Sequence, residues 1–533
     1  MTELDVITLG RASVDLYGVQ VGGRLEAMRS FNKYLGGSPT NIAVGTARLG
    51  LRSALITRVG NEHMGRFIRE QLVAEGVCVD GVVTDPQRLT ALVLLGIRDQ
   101  HRFPLIFYRA DCADMALCED DIDEQFIAGA GCLTVTGTHL SHPRTEAAVI
   151  KALGLARQHG LKTVLDIDYR PNLWGLAGHD AGEARYIESD RVTEKLQAAL
   201  HWFDLIVGTE EEWHIAGGST DTVAALRAVR THSAATLVCK RGAQGAVLFQ
   251  AGVPDVLEDG LSSPGLLVEP FNVLGAGDGF MSGLLRGWLR GEDWPTALLY
   301  ANACGAMAVS RHGCAPAYPS WDELAWFLKY GSEHTALRQD ELLEHIHWAT
   351  TRSGDWPQMR VFAFDHRQQF KSMAAAAGVG PERIARFKQL CLTAVQRVAD
   401  GRPGYGLLCD AHFGLDTLHA AADRGLWIGR PVEVPGSRPL VLDLDGDWGV
   451  ALAQWPSEQV VKVLCIYPSQ HRPYLRPKRP PQTSLRSQSR KKRSSLKIFQ
   501  RNPKTMKNRL QLRWTPWICS TSISSLQRKN ESR

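Results

Sequence analysis

The stretch Asn272-Val-Leu-Gly-Ala-Gly-Asp278-Gly-Phe280 constrains this chain more than any other. Gly275, Ala276 and Gly277 carry almost no side chain, so a ligand can come close to their peptide N–H groups. Behind them Phe280, Leu284, Leu285, Trp288 and Leu289 recur at helical spacing, which predicts an amphipathic helix opened by the glycines. A helix N-terminus with unpaired N–H donors favours anions, phosphate above all. Asp278 then stands beside a bound phosphate, where a second negative charge suits a base that takes a proton from an attacking hydroxyl. The same residues also fit a plain strand-to-helix turn with a capping Asp, because short Gly motifs are weak on their own.

A second motif narrows the choice. Residues 36–50 begin Gly36-Gly37-Ser-Pro-Thr-Asn41, and Arg58-Val-Gly60-Asn-Glu-His-Met-Gly65 follows. The paired glycines suit a turn passing close to a ligand, and Asn41 can hydrogen-bond a hydroxyl from the next helical turn. In this order and separation, the two motifs resemble the ribokinase-like (pfkB) family of carbohydrate kinases, over about residues 4–320. The resemblance implies an α/β/α sandwich with a small β lid, and an ATP-dependent reaction assisted by Mg2+ and by a monovalent cation such as K+. It also implies that a lid strand can pair two subunits into a homodimer.

Composition is that of a soluble globular protein, expected to be cytoplasmic. The chain has 533 residues, 44% hydrophobic and 22% charged, enough for two or three domains with sizeable cores. Eleven cysteines lie at irregular spacings with no C-x-x-C pair, which predicts reduced thiols. No basic segment leads into an apolar stretch at the N-terminus, and no run of about 18 apolar residues exists, so neither a secretory signal nor a membrane span is expected.

Charge is distributed unevenly. Residues 469–533 hold 18 of the 61 Lys and Arg but one of the 56 Asp and Glu, so residues 1–468 carry a net charge of −12 against +5 for the whole. This tail includes Arg490-Lys-Lys-Arg493, lacks any period, and follows a strand pattern that stops mid-unit. It reads as a frameshifted sequence. A solvated tail or a polyanion-binding arm is the competing reading, and nucleic acid is not the expected partner.

From Leu4 to about Ser320, β-rich runs alternate with helical stretches, which predicts a parallel sheet covered on both faces. Residues 1–325 are expected to form the kinase domain. A helical, mixed-charge linker is expected over 326–352, and a second β/α unit over 353–468. In that unit Phe364-Asp-His-Arg-Gln-Gln-Phe370 and the run through Lys462 resemble an aldolase-like barrel domain. A complete barrel needs eight strands and about 250 residues, so an incomplete one is expected.

The chain has no G-x-x-x-x-G-K-[ST] run, so the Gly275–Gly277 backbone must carry the phosphates, with Asp278 as base. By resemblance, Asp15, Gly36, Gly37 and Asn41 face the substrate hydroxyls, and Lys240, Gly242, Gly245 and Asn302 flank the nucleotide. Glu211 or Glu212 orients the hydrated metal. Asn272-Val273 stands where most of the family has Asp-Thr, which puts the cation contacts in question. Arg109 and Arg170 add two guanidinium groups, which suit a carboxylate better than a neutral sugar. The substrate expected is therefore a sugar acid. The motif variant, the Asp166-Ile-Asp-Tyr-Arg-Pro171 run and the appended unit resemble the branch of the family that phosphorylates the 6-hydroxyl of a keto-sugar acid in myo-inositol breakdown. A 2-dehydro-3-deoxygluconate kinase, a fructokinase-like enzyme or a sugar-acid sensor without turnover stay open as alternatives.

Overall fold

Strands buried on both faces read as continuous apolar runs, and the runs of this chain assemble as such. The computed structural model describes residues 3–99, 102–351, 358–444, 448–456 and 458–464. It divides the chain into two units between residues 353 and 354.

In the first unit the strands are β1 (Val6–Leu9), β2 (Ser13–Gly18), β3 (Phe31–Gly36), β4 (Ser53–Gly60), β5 (Val82–Asp85), β6 (Ala91–Leu95), β7 (Leu105–Tyr108), β8 (Cys132–Thr136), β9 (Lys162–Asp166), β10 (Leu205–Thr209), β11 (Thr236–Lys240), β12 (Ala246–Phe249) and β13 (Leu261–Ser263). Nine form one sheet in the order β13-β12-β11-β10-β9-β8-β1-β4-β5. The expectation of a parallel sheet needs correction at one edge, where β12 pairs antiparallel with β11 and β13 antiparallel with β12. The reason is local. Arg241–Gly245 is a tight turn, with Gly245 at φ 90° and Arg241 donating its N–H to the Gly245 carbonyl at 2.8 Å. A turn this short can only return the chain as a hairpin, since a parallel partner needs a long crossover.

Alternate residues of each strand feed different cores, as the period of two requires. Leu205 and Val207 pack with Phe280, Met281, Leu284 and Leu285 of the helix Ala276–Leu289, while Ile206 packs with Leu153, Leu165 and Leu196 on the other face. Each fully buried aliphatic side chain contributes about 1.5–3 kcal/mol. The helix Ser38–Arg48 lies against Ala276–Leu289 at Gly45, where a Cβ would stand 2.2 Å from Ser282 Oγ. That close approach brings Ser38 and Asn41 to Asp278.

A separate four-stranded sheet, β3-β2-β6-β7, forms the small β lid that the resemblance implies. Residues 321–350 are more than a connector. They form the helices Trp321–Tyr330 and Glu341–Thr350, which pack on the first unit through Leu324, Phe327 and Leu343. Arg311 binds Glu323 at 2.7 Å and Glu344 at 2.5 Å, and the His347 ring reaches the Pro316 carbonyl at 2.9 Å.

The second unit has β14 (Arg360–Ala363), β15 (Tyr405–Leu408), β16 (Trp427–Pro431) and β17 (Gln459–Lys462), all parallel and in sequential order. Helices Gln368–Ala376, Pro381–Ala399, Ala411–Ala421 and Trp448–Ala453 separate them. Among the described residues this is half the strand number of an eight-stranded barrel. Lys462 sits 3.1 Å from both Asp365 and Glu433 at the carboxyl ends of these strands. The 469–533 tail lies outside the described residues. No helix among the described residues is long and apolar enough to cross a membrane.

Candidate active site

The carboxyl edge of a parallel sheet is where open α/β folds bind ligands, because loops diverge there and helix N-termini point to it. In this unit that edge gathers Arg11 after β1, Asp166, Asp168 and Arg170 at and after β9, Glu212 after β10 and Lys240 ending β11. The helix Ala276–Leu289 opens towards the same place. Its N-cap, Gly275, sits at φ 80°, a left-handed conformation that glycine adopts without strain. Tyr318 donates to the Gly275 carbonyl at 3.1 Å, and Cys314 packs so closely that a Cβ at residue 275 would lie 2.7 Å from its sulfur. The first N–H groups of this helix have no partner within it; Ala276 donates outside it to the Val273 carbonyl at 3.3 Å, and those of Gly277 and Asp278 can receive an anion.

Asp278 is half-buried, and each of its carboxylate oxygens is held. Ser38 Oγ donates to Oδ1 at 2.7 Å and Asn41 Nδ2 to Oδ2 at 2.9 Å. Burial raises its pKa, the nearby Asp168 adds to the rise, and Ser38, Asn41 and Arg11 partly offset both. A carboxylate with raised pKa is a better proton acceptor for a hydroxyl. Asn41 therefore spends its amide on the base, where a sugar hydroxyl was the expected partner. Ser38 was not anticipated, although it lies one helical turn before Asn41.

On the lid side, Asp15 is buried and accepts from Ser13 Oγ at 2.9 Å. Burial is the main cause that lifts its pKa to about 6. Gly36 faces it: a Cβ there would fall 1.8 Å from Asp15 Oδ1. Gly37, at φ 95°, caps the helix of Ser38 and backs onto the Arg11 carbonyl. Arg109 is buried and paired with Asp114 at 2.7 Å, while its second terminal nitrogen finds no protein partner. Arg11 pairs with Asp168, which also accepts from Thr138 Oγ1 at 3.0 Å. Asp168 holds φ 38°, an uncommon backbone for a non-glycine residue. Arg11 was not singled out from sequence, and Asp168 was read only within the Asp166–Pro171 run; their place directly after β1 and β9 was the available signal.

On the other side, Lys240 Nζ lies 3.0 Å from Asp166 and 3.5 Å from Glu212. It also lies 3.3 Å from where a Cβ on Gly277 would stand, so its charge adds to that of the helix N-terminus. Burial lifts Asp166 to about 7 against the pull of Lys240, with Glu212, Asp168 and Asp278 adding to the rise. Burial opposes the Lys240 charge, yet Asp166 and Glu212 hold the ammonium above its usual pKa. Gly242 and Gly245 form the turn next to residues 263–265, which Asn302 ties down by donating to Ser263 Oγ at 3.0 Å and to the Pro264 carbonyl at 3.1 Å. Asn302 thus shapes this wall through its neighbours.

Of the two acidic candidates, Glu212 is buried at the site and Glu211 is exposed. Glu212 also closes a capping box with Thr209, accepting its backbone N–H at 2.7 Å. No group of three or more His, Cys, Asp or Glu among the described residues is arranged as a metal cage. One buried carboxylate beside an anion site fits a hydrated Mg2+ carried in by phosphates, which keeps most of its waters. A monovalent cation fits less well at Asn272. Its Oδ1 already accepts the Leu274 N–H at 3.1 Å, and its buried Nδ2 presents a donor where a cation needs oxygens.

Comparison with known proteins agrees with this geometry. The pfkB family carbohydrate kinase model matches residues 3–321, and a family described as an uncharacterized protein conserved in bacteria (DUF2090) matches residues 323–507. The 5-dehydro-2-deoxygluconokinase of Geobacillus kaustophilus is 33% identical over 342 residues, 63% of this chain and 97% of that protein. A ribokinase II from E. coli, solved with ATP and Mg2+, is similar at a TM-score of 0.54 with 24% identity, covering 61% of this chain and 99% of the other. A fructokinase double mutant from Vibrio cholerae, solved with fructose, ADP and potassium, gives 0.52 at 26% identity, covering 62% and 99%. Asp278 at a glycine-opened helix, the Gly36-Gly37 turn beneath a β lid and a family match over more than half the sequence lead to one conclusion: the chain belongs to the pfkB family of carbohydrate kinases.

Proposed function

We propose that this chain transfers the terminal phosphoryl group of ATP to the 6-hydroxyl of 5-dehydro-2-deoxygluconate, a step of myo-inositol breakdown in the cytoplasm. The observation that carries the reading is the Asp278 carboxylate, held by Ser38 and Asn41 at the opening of a helix, with Lys240 beside that opening. Asp278 takes the hydroxyl proton as the sugar oxygen bonds to phosphorus and the bond to the ADP oxygen breaks. The Gly277 and Asp278 N–H groups and Lys240 stabilise the charge on the phosphoryl oxygens. Glu212 would help hold a hydrated Mg2+ carried in by the nucleotide, and that ion would further neutralise phosphate charge. Asp15, with Gly36 leaving it room, accepts a sugar hydroxyl. Arg109, whose second terminal nitrogen is free of protein partners, takes the substrate carboxylate with Arg170. The similarity to the Geobacillus enzyme supports the same substrate. The second unit, in this reading, is part of an aldolase-like barrel that meets the kinase product.

The test is ATP turnover by the full chain and by Asp278→Ala across 5-dehydro-2-deoxygluconate, 2-dehydro-3-deoxygluconate, fructose and ribose. The reading expects preference for the first acid and loss in the variant. Preference for fructose, or turnover indifferent to Asp278, rejects it.

A further inference from the structure

The first unit runs past the end of the kinase match at residue 321, to residue 353. The helices that fill this extension, Trp321–Tyr330 and Glu341–Thr350, reach Asp278 through Tyr318. Tyr318 stands where the two helices that meet at Asp278 come together. It is 1% exposed, and its ring occupies space that two glycines leave: a Cβ on Gly45 would lie 3.4 Å from Cδ2, and one on Gly279 3.3 Å from Cε1. Its hydroxyl donates to the Gly275 carbonyl at 3.1 Å, at the N-cap of the Asp278 helix. Burial raises the pKa of the phenol, so the proton that makes this bond stays in place. Its own carbonyl accepts from Arg48 Nη1 at 2.8 Å, in the last turn of the helix that carries Ser38 and Asn41. One residue thus ties the helix of the base to the helix that holds the base.

The backbone that carries Tyr318 is held from a third side. His347 Nε2 donates to the Pro316 carbonyl at 2.9 Å, and Arg48 Nη1 reaches the same oxygen at 3.4 Å. The His347 ring is in turn set by Glu323, whose Oε2 lies 2.6 Å from Nδ1, and Glu323 is bound by Arg311 at 2.7 Å. His347, Glu323 and Arg311 are all buried. A polar network that is buried and fully bonded is rigid and specifies one position for the groups it binds. We propose that the helix Glu341–Thr350 is a working part of the kinase: His347 is a positioning residue that, through Pro316 and Tyr318, sets the Gly275 turn and with it the Ser38 and Asn41 bonds to Asp278. The inference rests on the phosphotransfer reading above and extends its machinery beyond residue 321.

The test compares the full chain with its Tyr318→Phe, His347→Leu and His347→Gln variants in steady-state kinetics over pH, with peptide-level hydrogen exchange on the same proteins. Tyr318→Phe keeps the ring and loses the bond to Gly275. It should lower kcat by roughly ten- to a hundredfold, the scale of a small misplacement of reacting groups, with both KM values nearly unchanged. His347→Leu should do the same more weakly. His347→Gln, whose amide can still donate to Pro316, should recover most of that loss. In the two impaired variants the acid limb of kcat/KM should move to higher pH, because Ser38 and Asn41 hold the Asp278 pKa down. Faster exchange should be confined to residues 38–48 and 273–280.

A limb that stays in place, with exchange faster in β8 and β9 as well, would mean general destabilisation and overturn the proposal. So would an unchanged kcat in His347→Leu or, should that variant not fold, in Tyr318→Phe. Turnover lost in Asp278→Ala but intact in the Tyr318 and His347 variants rejects this inference alone. Turnover indifferent to Asp278 rejects the phosphotransfer reading with it.

Discussion

Ser38 Oγ donates to Asp278 Oδ1 across 2.7 Å of space and 240 residues of chain. With Asn41 on the other oxygen, the opening turn of one helix fixes the base at the opening of another. These two bonds both orient the carboxylate and pull its pKa down against burial and Asp168. Removing either should therefore raise the Asp278 pKa further, and the acid limb of kcat/KM should move to higher pH in Ser38→Ala and in Asn41→Ala. Asp278→Ala should lower kcat by about 10²–10⁴-fold, the usual worth of a general base. A limb that stays in place or moves to lower pH in the Ser38 and Asn41 variants would show that neither bond tunes the base.

Gly36 leaves room that no other residue could leave. A Cβ at this position would stand 1.8 Å from Asp15 Oδ1, so Gly36→Ala must displace the Asp15 side chain. The expected outcome is a large rise in the sugar-acid KM with ATP affinity nearly unchanged, because Lys240 and the Gly275 turn lie on other elements. Steady-state kinetics with each substrate varied separately would decide; equal damage to both substrates would mean that the first unit as a whole is disturbed.

The two glycine motifs were legible in sequence because each obeys a local rule: small residues at a turn, then an apolar stripe at helical spacing. The partnerships were not. Asn41 was readable as a polar residue one turn into a helix, but its choice of Asp278 over a sugar hydroxyl depends on how closely Gly45 lets two helices approach. Arg11 and Asp168 pair across 157 residues, and nothing local announces such a bond. The return of β12 as an antiparallel strand was hidden in the Gly242–Gly245 turn, which resembled only a nucleotide loop. Residues 326–352 looked like a linker because their charges are mixed, yet Glu344 and His347 spend theirs inward on Arg311, Glu323 and Pro316.

Asp15 should make the first unit more stable in mild acid. Its folded pKa, about 6, lies above the unfolded value near 3.9, so the folded state holds the proton more tightly. The contribution is complete below the unfolded value and is lost as pH rises through about 6, on the order of 3 kcal/mol for this one group. Asp166 acts in the same direction up to about 7, so the informative quantity is the difference between wild type and Asp15→Asn. Urea midpoints followed by hydrogen exchange within the first unit should show a gap between the two proteins that changes between pH 4 and 6 and is flat above 7. Parallel curves throughout would mean that Asp15 ionises freely in the fold.

Lys240 answers two buried carboxylates at once, so its removal should be costly in a specific way. Lys240→Met leaves Asp166 and Glu212 facing each other, with Asp168 and Asp278 nearby and no cation in contact. Stranding a buried charge costs about 3–5 kcal/mol, and the first unit should lose roughly that much. Adding Asp166→Asn removes one of the stranded charges, so the double variant should regain part of the stability. ATP affinity should stay low in both, because the ammonium beside Gly277 is gone in each. Stability and ATP binding would then separate: the first depends on the balance between Lys240 and Asp166, the second on Lys240 alone. Full additivity of the two substitutions in stability would deny the coupling, and ATP affinity restored by Asp166→Asn would place Lys240 in the scaffold and out of the phosphate site.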